Sequence, residues 1–255
     1  MITLQKMFMP LGFALLVSLM LFQANYLLAQ PAKQRILVDI AHGQKFWNDP
    51  ADMTGKAPAL IERINYMTAE LTKNATALNA QVGYQKTKIT PAALTGCDLL
   101  FIHIPSARYE PGEIKAIQQY LQQGGALFVV MEQDYWATLA QVNVNEMLQP
   151  FGIVFKEDSP LTQSGGYSQV GPVTKQRFSI PYHGARIVEG GTPFCFSTHS
   201  EAYPFGVYQP VKQGGKIIAM GDGMVSLYMT SWEGVNNYQC APFMQEAFAW
   251  LLKRE

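Results

Sequence analysis

The chain has 255 residues, 48% of them hydrophobic and 15% charged, which is enough apolar side chain for one sizeable core. Its 19 basic and 19 acidic residues balance, and no basic cluster stands out, which argues against nucleic acid as a partner. Three cysteines, Cys97, Cys195 and Cys240, occur without C-x-x-C spacing, which argues against a disulfide scaffold, a zinc knuckle or a thioredoxin-type site. An odd count leaves room for one bridge and one thiol, and the sequence does not pair them.

The N-terminus reads as a targeting segment. Lys6 precedes an apolar run, Met7 to Phe22, a polar break at Gln23 and Asn25, and Leu27-Leu28-Ala29 as a cleavage site. Residues 1–29 are expected to be a signal peptide, giving a periplasmic or secreted protein with no stable membrane anchor after cleavage. The competing reading is an uncleaved anchor, because 7–29 is nearly long enough to span a bilayer. Residues 30–255 read as a single domain.

Arg35 to Ile40 is the first predicted strand, followed by a loop over 43–56. The spacing of Leu60, Ile64, Met67 and Leu71 predicts an amphipathic helix from Pro58 to about Lys73. A less apolar, alternating strand around Val82–Ile89 belongs near a sheet edge. Asp98 to Pro105 is a central strand. Glu110-Pro111 opens a helix with Pro at its first position, Gly124-Gly125 ends it, and Ala126 to Met131 returns as a third central strand. Tyr135 to Phe151 reads as a loosely periodic helix through Trp136, Leu139, Val142 and Met147, and residues 153–158 as a strand. Residues 159–204, rich in Gly, Ser, Thr and Pro, read as an irregular β-rich insertion lying over the sheet edge. Phe205–Pro210 and Lys216–Met220 form strands joined by a turn at Gln213-Gly214-Gly215. Ala241 to Lys253 is a final helix with a broad apolar face.

Short apolar runs between amphipathic helices predict an α/β fold with a mostly parallel central sheet, its strands running side by side. In such sheets ligands bind outside the strand carboxyl ends. Four runs stop at polar residues there: ILVDIAH at Asp39 and His42, DLLFIHIP at His103, ALFVVMEQD at Glu132 and Asp134, and KIIAMGDG at Asp222. These tips are expected to crowd into one crevice.

Asp39-Ile40-Ala41-His42-Gly43-Gln44, then DLLFIHIP, a helix, Gly-Gly, ALFVV and the late GKIIAMGDG resemble the GIFT-type domains of the class I glutamine amidotransferase-like superfamily. Those domains are related to a segment of intraflagellar transport proteins and of gliding- or ABC-transport-associated proteins. The resemblance covers about residues 35–255. It implies a flavodoxin-like three-layer sandwich and, for most members, no assigned activity. True amidotransferases carry a nucleophilic Cys in a G-x-C-x-G elbow. The matching place here reads Glu132-Gln133-Asp134, so amidotransferase chemistry does not carry over.

Two function classes follow. The first is binding without catalysis: Asp39, Gln44, Trp47, Asp134, Tyr135, His199, Glu201 and Asp222 supply polar and aromatic groups for a small molecule or glycan, with Tyr109, Trp136, Tyr203 and Trp232 as further aromatic faces. The same surface suits a protein partner. The second class is a hydrolase using His42, His103 and Glu132. In its metal-assisted form these three hold a zinc, manganese or iron ion, although no H-x-H or H-E-x-x-H spacing occurs. In its metal-free form Glu132 and Asp39 are paired carboxylates and His103 or His199 a general base. No cofactor is required by the sequence. The polar run Ser197 to Glu201 reads as a pocket rim, and His183 as structural. The plainer reading of Asp134 is a cap for the following helix, and of Gly221 and Gly223 a tight turn.

Overall fold

The structure, a computed structural model, describes residues 33–44, 46–158, 165–182, 184–199, 201–223 and 238–253. The expected signal peptide, His183, Ser200 and Trp232 lie outside the described residues. Contacts group Gln34–Glu255 as one unit, and it alone is considered below. No helix among the described residues is long and apolar enough to cross a membrane.

The chain runs β1 (Gln34–Asp39), α1 (Pro58–Ala77), β2 (Ala80–Gln85), β3 (Leu99–His103), α2 (Pro111–Gln122), β4 (Ala126–Val130), α3 (Val144–Leu148) continued by a 3-10 turn (Gln149–Phe151), β5 (Val154–Asp158), β6 (Gly166–Ser168), β7 (Ser179–Ile180), β8 (Arg186–Glu189), β9 (Thr192–Ser197), β10 (Pro204–Pro210), β11 (Lys216–Met220) and α4 (Cys240–Leu252). A nine-stranded sheet has the order β2-β1-β3-β4-β11-β10-β9-β6-β7. Its first five strands are parallel. The other four alternate in direction. A separate pair joins β5 to β8.

Alternation along each central strand feeds two cores. Ile36, Val38, Phe101 and Phe128 pack with Met67 and Leu71 of α1 and with Phe248 of α4. Leu37, Leu100, Leu127 and Val129 pack with Ile117 and Leu121 of α2 and with Met147 of α3. Strands buried on both faces must be apolar throughout, and this is why β3, β4 and β11 read as unbroken hydrophobic runs. Pro58 starts α1 at a position whose N–H needs no partner. Asn79, at φ 53°, turns the chain left-handed just past its end. Glu110 and Glu113 form a reciprocal capping box at the start of α2. Gly124, at φ 98°, lets the chain leave α2 and enter β4.

Three expectations need correction. The sheet is mixed rather than mostly parallel: the short connection from β10 to β11 pairs them antiparallel, and β9, β6 and β7 continue the alternation. Within 159–204, strands β9, β6 and β7 extend the sheet rather than lie over its edge. The helix expected over Tyr135–Phe151 is formed only at Val144–Leu148 and its 3-10 extension. Tertiary side-chain contacts hold the segment before it. Asn143 donates to Tyr109 O at 3.0 Å and accepts from Tyr109 N at 2.9 Å, and the Ala137 carbonyl accepts from Arg186 at 3.1 Å.

Arg186 is fully buried and fixes this region. Its guanidinium donates to the carbonyls of Glu132 (2.8 Å), Lys156 (3.1 Å) and Ala137 (3.1 Å) and pairs with the Asp134 carboxylate. One side chain thereby ties the segment after β4, strand β5 and strand β8 together. Arg186→Met leaves two buried carbonyls and a part-buried one without their donor, and we expect it to lower stability by about 3 kcal/mol. A fall in the urea midpoint at constant m-value checks this, and an unchanged midpoint contradicts it.

Candidate functional site

Asp39 closes β1, His103 closes β3, and Glu132 and Asp222 each follow their strands by two residues. Because β10 runs antiparallel to β11 and to β9, the β9–β10 connection with His199 and Glu201 lies at this same end of the sheet. The structure sorts these residues into two buried networks and one cavity.

The first network surrounds His42. Its Nδ1 lies 2.9 and 3.0 Å from the two Asp39 carboxylate oxygens, and its Nε2 lies 3.2 Å from Glu113. The Tyr109 hydroxyl donates to Asp39 at 2.8 Å, and the Tyr109 ring stacks on the imidazole at 3.9 Å. Glu113 also accepts the backbone N–H groups of Ile89 (2.7 Å) and Glu110 (2.9 Å). Burial pushes the His42 pKa down, but hydrogen bonds and charge from Asp39 and then Glu113 outweigh it, and the net shift is upward. Both ring nitrogens face carboxylates, so the imidazolium is the bound form. The His42 carbonyl accepts from Ser106 N (2.9 Å) and Ala107 N (3.1 Å), which ties the loop after β1 to the loop after β3.

The second network surrounds Glu132. Its carboxyl accepts from Gly223 N at 2.8 Å and Gln133 N at 3.0 Å. Burial and then the nearby Asp222 charge push it up to about 8, so it holds a proton at neutral pH. A Cβ at Gly223 would come within 2.4 Å of the tip of the Ile104 side chain and 3.1 Å of the Glu132 carboxyl, so a larger residue here would displace Ile104. The His103 Nε2 lies 3.4 Å from Gly223 O, which requires the Nε2–H tautomer, and burial pushes this histidine down to about 3. Glu132 and His103 thus meet through Gly223, while His42 belongs to the other network. Among the described residues no group of three His, Cys, Asp or Glu side chains is arranged to hold a metal ion.

Beside these networks opens a cavity of about 620 Å³, lined by Gln44, Trp47, Lys56, Leu60, Ile104 and Trp136 among others. Its size suits a small organic ligand. Gln44 Oε1 accepts from His103 N at 3.2 Å, which fixes the amide. Gln44 Nε2 and Trp47 Nε1 are buried donors without a partner. An unpaired buried donor costs about 1–3 kcal/mol, so such a pair is a feature to explain. Ile104 has φ 49°, a rare backbone state for a β-branched residue, of the kind that concentrates at functional sites.

Of the remaining candidates, Tyr135 is 81% exposed at the cavity mouth. Asp134 is committed to Arg186. His199 stacks on Tyr203 at 5.5 Å, away from both networks, and Glu201 is exposed. All three cysteines are buried free thiols. The residues the sequence did not single out are Glu113, Arg186 and Lys56. Glu113 was readable only as the second acid of an E-x-x-E capping box, and Arg186 has no local signal at all.

Residues 64–167 match the family model described as the IFT52 GIFT domain, less than half of the chain. No curated protein sequence matches the chain significantly. Among solved structures, the mmIFT52 N-terminal domain is similar at a TM-score of 0.62 and 17% identity, covering 87% of this chain and 99% of that one. The exo-beta-1,4-mannosidase Op5Man5 from Opitutaceae bacterium strain TAV5 is similar at 0.50 and 14% identity, covering 92% of this chain and 39% of that one. A GMP synthase-type protein from Thermoplasma acidophilum is similar at 0.50 and 11% identity, covering 88% of this chain and 94% of that one. At these identities the likeness shows a shared fold alone. The chain spans about two fifths of the mannosidase.

The His42 network makes stability depend on pH. A histidine whose folded pKa is raised contributes fully below its unfolded value of about 6.5 and loses that contribution as pH rises through the folded value. The raised Glu132 acts in the same direction between its ordinary range and about 8. We expect the urea midpoint to fall between pH 6 and pH 9, with a shallower fall above pH 6.5 in His42→Asn. An equally steep fall in that variant removes the imidazolium from the explanation.

Proposed function

We propose that the chain is an exported ligand-binding α/β domain of GIFT type, degenerate relative to the class I amidotransferases, with a flavodoxin-like layered fold. The observation that carries this reading is a separation. The cavity at the strand carboxyl ends is lined by Gln44, Trp47, Lys56 and Trp136, whereas His42, His103, Glu132, Asp39 and Asp222 do not line it. The titratable residues are instead buried and turned on one another. His42 has both ring nitrogens occupied, and both Glu132 oxygens accept backbone N–H groups. A general acid or base must reach the proton it transfers, and these groups reach only the protein. Aromatic rings beside unpaired N–H donors suit a small polar molecule or a glycan. The likeness to the IFT52 GIFT domain makes a protein partner the second occupant to consider.

One observation favours the hydrolase alternative in its metal-free form. Glu132, pushed up to about 8, has the protonation state of a general acid at neutral pH. The two readings part in one assay series. Nitrophenyl glycosides, nitrophenyl esters and L-glutamine are incubated with the protein and with Glu132→Gln. We expect no turnover above the protein-free control from either, while Trp136→Ala abolishes any ligand-induced rise in melting temperature. Turnover that vanishes in Glu132→Gln, with the fold intact by circular dichroism, overturns the binding reading.

A further inference from the structure

We propose that the cavity beside β1 and β3 binds a small organic monoanion, a carboxylate attached to a ring or short apolar body. This rests on the binding reading above and names the ligand class for the same site. Three independent features converge. First, Gln44 Nε2 and Trp47 Nε1 are donors without partners on side chains that are only 5% and 1% exposed. Neither can swing to water. Gln44 is fixed through its oxygen to His103 N, and the Trp47 indole is packed edge-on against Phe101 (5.3 Å) and His103 (5.9 Å). Both call for an acceptor. Second, the lining includes Lys56 and no aspartate or glutamate. Lys56 has no carboxylate partner among the described residues. Third, Lys56 just precedes and Leu60 lies in the first turn of α1, a 20-residue helix whose N-cap, Ala57, offers no side-chain acceptor and whose first turn holds no acid. Its positive end therefore has neither a capping side chain nor an acid of its own.

The charge sets the ligand class. One lysine and a helix end balance a single negative charge, and beside the polar Asn48 and Ser106 the lining offers an apolar and aromatic face of Ile40, Leu60, Ile104 and Trp136. A carboxylate sits against Lys56, reaches the two buried donors by a small displacement of the cavity wall, and packs its body on the rings. A neutral sugar meets the donors but leaves Lys56 and the helix end unanswered. A phosphate dianion carries more charge than the site neutralises and has no apolar face.

Calorimetric titration of the protein with D-glucuronate, phenylacetate, D-glucose and inorganic phosphate tests this. At least one carboxylate is expected to bind, with glucose and phosphate at least about tenfold weaker. Tighter glucuronate identifies a sugar acid as the ligand type and tighter phenylacetate an aromatic acid, and either supports the proposal. Lys56→Met, at a partly exposed position, is expected to weaken carboxylate binding about tenfold or more. Trp47→Phe, which keeps a ring but deletes the N–H, is expected to weaken it several-fold. No carboxylate binding, or carboxylate affinity unchanged by Lys56→Met, overturns the proposal. Glucose binding as tightly as glucuronate, with loss in Trp47→Phe, overturns the anion but leaves the binding domain standing. Turnover dependent on Glu132 removes the binding domain itself.

Discussion

A buried imidazolium held between two carboxylates shapes the carboxyl edge of this sheet. His42 sits between Asp39, at the end of β1, and Glu113, in the first turn of α2. Neither carboxylate is spare: Asp39 also accepts from Tyr109, and Glu113 from Ile89 and Glu110. Three charges are thus withdrawn from water in an arrangement where nearly every polar atom has a partner, the condition under which buried ions are tolerated. The consequence reaches the cavity. The His42 carbonyl binds the loop after β3, and two residues further on Gln44 binds His103 N. The loop that carries Gln44 and Trp47 is therefore set by the ion triad, and the cavity inherits its walls from it.

The Glu132 network solves a different problem at the next strand ends. Two acids, Glu132 and Asp222, are buried near one another, which makes ionising both unfavourable. The cost is met by a proton on Glu132 and by the N–H groups of Gly223 and Gln133. The Glu132 carbonyl is in turn held by Arg186. True amidotransferases, whose strand motifs this sequence resembles, carry a thiol nucleophile at the matching position. Here it is occupied by a side chain whose oxygens are both used internally. The two networks together explain why polar residues gather at the strand tips without lining the cavity: most of them brace it.

Much of the fold was legible in the sequence because it depends on local rules. β1, β3, β4 and β11 had to be apolar on both faces, and Pro58, Pro111 and Gly124 marked helix ends by their backbone constraints. What was not legible was tertiary. In the first half of the helix expected from Tyr135, the Ala137 carbonyl is taken by Arg186, 49 residues away, and the Asn143 side chain is drawn to the Tyr109 backbone, 34 residues away. Strand β9 pairs with its neighbour β10 and β7 with β6, but β6 meets β9 across a longer gap in sequence, where periodicity is silent. At the site, the clustering of polar residues at one end of the sheet could be read from strand ends. Their division into bracing networks and an open cavity could not, because it turns on which atoms are already paired. Gln44 and Trp47 stood out by residue type. Their unpaired N–H groups are a property of the packed molecule.

The central claim is that the cavity donors await an acceptor from outside the chain. The most direct measurement follows the indole N–H of Trp47 and the side-chain amide of Gln44 by proton–nitrogen NMR as D-glucuronate is added, with Trp47→Phe used for assignment. The expected result is a saturable downfield movement of the Trp47 indole proton together with the Gln44 amide pair, as both gain a hydrogen bond. Signals that stay in place while ligand-induced shifts appear elsewhere would contradict the account.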